Sequence, residues 1–186
     1  SVKNRNDLAC ALAEAAYLTG LERNADVVRM ASYAPLFAHV DAWQWTPDLI
    51  WTDNLRTLLT PNYHVQRLFA RNRGDRVLPV AIAGATPDEA RRLYASSTAD
   101  TAAGEVIVKL VNATPRASVV TVSITGAARL AAGTLTLLHA DDPAAVNTFE
   151  APDRVAPRES PLAPQGTTFQ VTLPPNSFAV ARVGAN

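Results

Sequence analysis

Ser32-Tyr-Ala-Pro-Leu-Phe-Ala-His-Val-Asp-Ala-Trp-Gln-Trp-Thr-Pro-Asp-Leu-Ile-Trp51 decides how this chain is read. An apolar run enters a loop that carries two tryptophans one residue apart, Trp43 and Trp45, and a second apolar run leaves it. Turn-forming residues flank both indoles, so at least one ring is expected to be partly exposed and open to a flat apolar ligand face, such as a sugar presents. The plainer alternative is that both rings cap the core beneath the loop.

Outward from that loop, the preceding residues read as a helix and then a strand. Asp7 to about Arg23 holds strong helix formers behind an Asn6 or Asp7 cap, with apolar residues on nearly every side. Such a helix is expected to be buried over most of its surface. Val27–Tyr33 is short, apolar and β-branched without clean alternation, the pattern of a parallel strand covered on both faces. Helix, tight connection and strand make the repeating unit of an α/β fold, and in an α/β barrel the loop leaving a strand's carboxyl end faces the active site. Here that loop is Ala34–Asp48. Beyond it lies the apolar segment Asp48–Trp51, and Thr60-Pro61 opens a second helix, with threonine as cap and proline in the first turn. Val65, Leu68 and Phe69 form its buried stripe, and Asn72-Arg73-Gly74-Asp75 ends it.

After Gly74 the texture changes, and a domain boundary is placed there: 1–76 as part of a barrel, 77–186 as a β-sandwich. Prolines become frequent and short β-rich runs alternate with turn signals, which predicts an antiparallel sandwich or jelly roll. The expected strands are Val77–Ile82, Arg91–Ser97, Glu105–Asn112, Ser118–Ile124, Gly133–His139, Thr167–Leu173 and Ser177–Val183. Alternation is read in Val106–Val111 and Val119–Ile124, and Asp141–Gln165 is read as a long connection between strands.

Composition narrows the function classes. Seventeen basic and seventeen acidic residues cancel, and the arginines fall among acids, which argues against a nucleic-acid partner. No run reaches the length of a membrane span. The one cysteine, Cys10, gives neither a disulfide framework nor a thiolate metal site. Glycine-rich phosphate loops, spaced histidine or cysteine clusters and a Gly-x-Ser-x-Gly turn are missing, so no cofactor or metal is expected. The acids near the loop, Asp41, Asp48 and Asp53, offer no matched pair of the kind glycoside cleavage requires. Glu14 and His64 read as structural groups, with Tyr63, His64 and Gln66 as potential pocket lining. The chain opens at Ser-Val-Lys-Asn without a methionine and reads as a piece of something longer.

Several linked motifs together resemble a known family. Ala11-Leu-Ala-Glu-Ala-Ala-Tyr-Leu-Thr-Gly-Leu-Glu-Arg-Asn24, Val28-Arg-Met-Ala-Ser-Tyr-Ala-Pro-Leu-Phe37, Trp43-Gln-Trp-Thr-Pro-Asp-Leu-Ile-Trp51 with Asp53-Asn54, Thr60-Pro-Asn-Tyr63 and Val65-Gln-Arg-Leu-Phe69 are similar to the carboxyl-terminal part of family 51 glycoside hydrolases, the α-L-arabinofuranosidases. Leu93-Tyr-Ala-Ser96, Gly104-Glu-Val-Ile-Val-Lys-Leu-Val-Asn112 and Leu173-Pro-Pro-Asn-Ser177 are similar to that family's terminal sandwich. The resemblance implies the last βα units of a (β/α)8 TIM barrel followed by a β-sandwich, in a retaining hydrolase whose two catalytic glutamates lie upstream of Ser1. No catalytic residue then falls in this chain, and Trp43 and Trp45 are its candidate substrate-binding residues. Thr52 and His64 stand where the family often has aromatics, so no stacking is implied there.

The implied partners are an arabinose-containing polysaccharide or oligosaccharide and the upstream fragment of the same enzyme, with no membrane partner. Self-association into a homo-oligomer stays open. A secreted or periplasmic location is favoured over a cytoplasmic one. The alternative is a non-catalytic carbohydrate-binding or structural sandwich module with a docking remnant, but all three tryptophans precede Gly74. Residues 1–76 are expected to pack against a second polypeptide, with Leu8, Leu12 and Leu18 left uncovered by this chain alone.

Overall fold

The computed structural model describes residues 5–185, and it is mostly sheet with two helices. The first helix, α1 (Leu8–Arg23), is capped as its sequence dictates: the Asp7 carboxylate accepts from the Cys10 amide at 2.8 Å. Its first two free amides reach out of the helix to carbonyls of a distant segment, Leu8 to Ala145 and Ala9 to Pro143. In the second helix, α2 (Pro61–Arg71), Thr60 caps the Tyr63 amide and proline occupies the first turn, where its missing N–H costs nothing.

A small three-stranded sheet lies between the helices in sequence. Its strands are β1 (Phe37–His39), β2 (Ile50–Thr52), parallel to β1, and β3 (Thr57–Leu59), antiparallel to β2. Eight further strands follow: β4 (Arg76–Leu78), β5 (Leu93–Asp100), β6 (Glu105–Asn112), β7 (Ser118–Ser123), β8 (Leu130–His139), β9 (Arg158–Leu162), β10 (Thr168–Leu173) and β11 (Ser177–Ala185). Six of them form one antiparallel sheet in the order β4-β5-β6-β11-β8-β9, and β10 pairs with β7 in a separate two-stranded sheet.

Both faces of the six-stranded sheet are covered. On one side Ile107, Val111, Leu138, Phe178 and Val180 pack with Leu8, Leu12, Val65 and Leu68 of the helices. On the other, Val106, Val108, Leu110, Ala179 and Val183 meet Phe169, Val171 and Leu173 of β10. Phe69 of α2 stacks on Phe178 with centroids 5.3 Å apart. Each of these large apolar side chains contributes on the order of 1.5–3 kcal/mol by leaving water, so the helices share one hydrophobic cluster with the sheet.

That arrangement corrects three expectations. Leu8 and Leu12 are buried within this chain and Leu18 is half-buried against the same cluster, so α1 needs no second polypeptide to cover it. Val27–Tyr33 is not a strand: among the described residues no strand pairs with it, the Val27 and Val28 amides turn back to the Asn24 carbonyl, and Val27 and Met30 are 73% and 88% exposed. The barrel units implied for this region are therefore not visible as barrel here, and the parallel pairing observed is that of β1 with β2. Val106–Val111, read as alternating, is buried on both faces, as expected of a central strand between two layers.

Smaller differences have local causes. Val77–Ile82 shortens to β4 because Pro79 brings no N–H to the ladder. The connection Asp141–Gln165 contains β9, an edge strand that tolerates Pro161 because its outer side has no partner. The remainder of that connection folds back over α1 and β3, pinned by Asn147, whose amide pairs with both backbone groups of Val155 and donates to the Leu59 carbonyl at 2.9 Å.

Candidate functional site

The loop between β1 and β2 carries the tryptophans, and it is built from short-range constraints. Val40 donates to the Thr52 carbonyl at 3.0 Å, closing the loop base onto β2. His39 accepts from the Asp41 amide at 3.2 Å through Nδ1, and its Nε2 lies 3.1 Å from Asn54 Oδ1. The two indoles stand differently. Trp43 is 50% exposed and meets Trp51 of β2 edge to face, with centroids 6.3 Å apart and planes at 76°. Trp45 is 65% exposed and takes no part in that contact. Both rings are thus open to solvent, and neither caps a core.

Beneath the Trp43–Trp51 corner is a cavity of about 340 Å³, walled by Asn6, Trp43, Pro47, Trp51, Thr60 and Asn147 among others. Its walls come from four separate places in the chain, brought together by buried amides and hydroxyls. Asn6, 8% exposed, donates through Nδ2 toward the Asp48 carbonyl at 2.9 Å, Thr60 Oγ1 at 3.2 Å and the Tyr33 hydroxyl at 3.3 Å. Thr60 in turn donates to the Leu49 carbonyl at 2.8 Å while capping α2. The Oδ1 atom of Asn6 is buried and meets no donor among the described residues. A larger cavity, about 700 Å³, lies beside β7 in the sandwich. Its lining is aliphatic apart from a few hydroxyls and Glu89, whose carboxylate is taken up by Thr86.

The acids singled out in the sequence do not converge. Asp53 is bound to Arg56, and that hydrogen bond holds its carboxyl below the usual range. Asp48 is 2% exposed with Oδ2 unpartnered, and burial pushes its pKa up. Glu14 sits between the helices and accepts from Asn62 and Gln66; burial raises its pKa and the two amides oppose that rise. Asp41 stays exposed on the loop. His64 is buried with neither ring nitrogen partnered, and burial, helped by Arg67 and opposed by Asp153, lowers its pKa. Tyr63 lies edge-on against His64 and Gln66 is engaged with Glu14, so none of these three helix residues lines the cavity.

Among the described residues no group of three or more histidines, cysteines or acids is placed to hold a metal, and no helix is long and apolar enough to cross a membrane. Sequence reasoning missed Trp51, Asn6, Thr60 and Asn147 as cavity walls. Trp51 belongs to the same tryptophan cluster and was open to discovery there. Asn6 reaches the Asp48 carbonyl across 42 residues of chain and Asn147 reaches that of Leu59 across 88, which no local pattern announces.

Comparison with known proteins fixes the relationship. Residues 1–177 match the family model described as the α-L-arabinofuranosidase C-terminal domain. The chain is 40% identical over 179 residues to α-L-arabinofuranosidase A of Aspergillus niger, covering 94% of this chain and 26% of that protein. Over 77 residues, 41% of this chain and 9% of the relative, it is 58% identical to an extracellular exo-α-L-arabinofuranosidase of Streptomyces chartreusis. An arabinose-bound GH51 α-L-arabinofuranosidase structure superposes with a TM-score of 0.89 at 37% identity, covering 98% of this chain and 28% of that one. The chain therefore spans about a quarter of the length of the full relatives it matches. On these grounds it belongs to the α-L-arabinofuranosidases of glycoside hydrolase family 51, of which it forms the C-terminal domain.

Proposed function

We propose that this chain is the C-terminal portion of a retaining α-L-arabinofuranosidase that removes terminal α-L-arabinofuranosyl groups from arabinoxylan, arabinan and their oligosaccharides. The observation that carries the proposal is the continuous match of residues 1–177 to the family's C-terminal domain. Double displacement needs a nucleophile and an acid/base carboxyl about 5 Å apart, and the acids singled out here do not converge: Asp53 is tied to Arg56 and Glu14 to Asn62 and Gln66, away from Asp41 and Asp48. Both catalytic carboxyls belong to polypeptide outside residues 1–186, and this chain supplies walls: the loop with Trp43 and Trp45 toward substrate, and a sandwich that braces it.

Exposed apolar groups support a docked position for residues 1–76 as the end of a barrel, with 77–186 as the sandwich. Val27, Met30, Leu36 and Phe37 are all more than half exposed, on a stretch whose residues 29–34 make no backbone hydrogen bonds among the described residues. Such a stretch is suited to become a strand when a neighbouring strand is supplied. The competing reading, a sandwich that binds carbohydrate by itself, lacks an aromatic platform: Phe169 and Phe178 are buried, Tyr94 and Phe149 are half-buried, and the outer face of β7 and β10 carries Val119, Thr121, Gln170 and Thr172. The test is turnover of an aryl α-L-arabinofuranoside. This chain alone should show none, adding the remaining polypeptide should restore it, and turnover by the isolated chain would refute the proposal.

A further inference from the structure

We propose that Asn6 is a positioning residue for the hydrolase reaction: its side-chain amide tethers the returning limb of the tryptophan loop, residues 43–48, to the start of α2, and so sets where the indoles of Trp43 and Trp45 stand. This rests on the hydrolase reading above and adds to it a residue that touches no substrate. The neck of the loop is closed by backbone bonds: Leu49 donates to the Pro35 carbonyl at 3.2 Å, Ile50 to that of Leu36 at 3.0 Å and Val40 to that of Thr52 at 3.0 Å. On the outgoing side Asp41 and Ala42 turn back onto His39. The returning limb lacks such support. Among the described residues, 43–48 make one hydrogen bond, and it comes from Asn6 Nδ2 to the Asp48 carbonyl at 2.9 Å. The edge-to-face contact of Trp43 with Trp51 also holds the limb, but apolar burial is not directional and does not fix a loop's course by itself.

The chemistry at Asn6 fixes the donor and its direction. A backbone carbonyl only accepts, so the atom facing Asp48 is the amide nitrogen and not the oxygen. One Nδ2 hydrogen goes there, and the other is shared by Thr60 Oγ1 at 3.2 Å and the Tyr33 hydroxyl at 3.3 Å. Thr60 has spent its own hydrogen on the Leu49 carbonyl, so its oxygen accepts from Asn6. One side chain thereby joins the residue before the loop, the residue that ends it and the cap of α2, which lie 27, 42 and 54 residues away in sequence. Its own base is firm. Asp7 caps α1, and the next two amides, Leu8 and Ala9, donate to the Ala145 and Pro143 carbonyls. Asn6 is 8% exposed, so water competes little for these bonds.

The test is Asn6→Ala, which removes the donor and adds no charge. In the 186-residue chain the indole N–H resonances of Trp43 and Trp45 should shift or broaden. The control is Lys109→Met, a change beside Glu22 and Asn72 at the opposite, carboxyl ends of both helices, and it should leave those resonances in place. With the remaining polypeptide added, KM for an aryl α-L-arabinofuranoside should rise about tenfold in Asn6→Ala, the scale of one lost buried hydrogen bond, while kcat stays within about twofold. Lys109→Met should move neither. Unmoved indole resonances in folded Asn6→Ala, an unchanged KM, or equal effects of Lys109→Met would overturn the assignment. If Asn6→Ala does not fold, the wild-type chain decides: a scalar coupling across the hydrogen bond from Asn6 Nδ2 to the Asp48 carbonyl carbon is expected, and its absence overturns the tether. Neither resonance measurement needs turnover, so failure of the hydrolase reading, seen as an inactive wild type with the remaining polypeptide present, is distinct from failure of the tether.

Discussion

Replacing Lys109 by methionine should unfold the helix layer from the sheet more readily than any surface change. Lys109 projects from the centre of β6 with no exposed surface, among Ile107 and Val111 on the helix-facing side. Its ammonium donates to Glu22 of α1 and to the Asn72 carbonyl at the end of α2, both at 2.6 Å, and lies 5.2 Å from the Phe69 ring centroid. One cation of the sheet therefore holds the carboxyl ends of both helices, where a positive charge also suits the helix dipoles. Burial pushes its pKa down even though Glu22 pulls it up, so desolvation outweighs the attraction.

The magnitude follows from who is left behind. Removing one member of a buried ion pair costs about 3–5 kcal/mol when the survivor stays dry and unpaired. In Lys109→Met the survivor is Glu22, whose side chain keeps 14% exposure and a 2.5 Å bond from Ser96, so the cost should fall to about 2–3 kcal/mol. For a domain of this length that lowers the thermal midpoint by roughly 4–12 °C. Glu22→Leu strands the fully buried ammonium and should cost more, toward about 3–5 kcal/mol. The double variant Lys109→Met/Glu22→Leu leaves no stranded charge and should recover most of either loss, because the pair is not a net stabiliser. Urea denaturation followed by circular dichroism measures all three. Additive losses in the double variant, or a Lys109→Met cost within about 0.5 kcal/mol of zero, would refute the reasoning.

The remaining predictions concern packing, capping and pH. Gly133→Ala would place a Cβ 1.8 Å from the Arg182 carbonyl oxygen across the β8–β11 pairing, so it should destabilise by about 1–3 kcal/mol or break the register there; an unchanged denaturation midpoint would contradict this. Thr60→Ala removes the cap of α2 and acceptors and donors shared with Asn6 and Leu49, for a loss of about 1–2 kcal/mol that Thr60→Ser should largely restore. His64 is held neutral in the fold, so the unfolded chain binds its proton first as pH falls through the ordinary histidine range. Stability should drop there, and a His64→Leu variant should show a shallower acid slope. Glu14 works in the opposite sense, because its raised pKa means the fold binds the proton more tightly. Stability should fall as pH rises through the ordinary glutamate range up to its folded value, and Glu14→Gln should remove that component; an identical pH profile would reject the assignment.

Elements whose signals are local were legible in the sequence. Asp7 before an alanine-rich run and Thr60-Pro61 before a spaced apolar stripe mark helix starts through capping chemistry that needs no tertiary partner. The sandwich strands fell within a few residues of their observed ends because turn residues bound them. Lys109 is the one charged residue in the run Val106–Val111, which reads in sequence as an alternating strand. What reversed that reading is α1 and α2 lying on the same face, a fact fixed by contacts across 37 and 87 residues. The cavity was half legible for the same reason: its indoles cluster in sequence, whereas Asn6 and Asn147 join them only through the fold.

Val27–Tyr33 failed for a different reason, and the failure is informative. A β-branched apolar run has strand character only as a fit to a pleated, covered surface, since strand preference is largely packing and pairing with neighbours. Within residues 5–185 the neighbouring strands are not provided, and the segment lies extended with Met30 88% exposed. Helix α1, by contrast, satisfies its own backbone and found an apolar sheet within reach, so its burial did not depend on what lies beyond this chain. A helix can be moved from one apolar neighbour to another, but a parallel strand is defined by its partners. The misread stretch is thus the place where the sequence describes a surface larger than the one these residues build, in keeping with a chain that spans 26% of its relative. The same logic separates Trp45 from Trp43. Trp43 finds Trp51 inside this chain and is half covered, whereas Trp45 finds no aromatic partner and stands 65% exposed on the same loop.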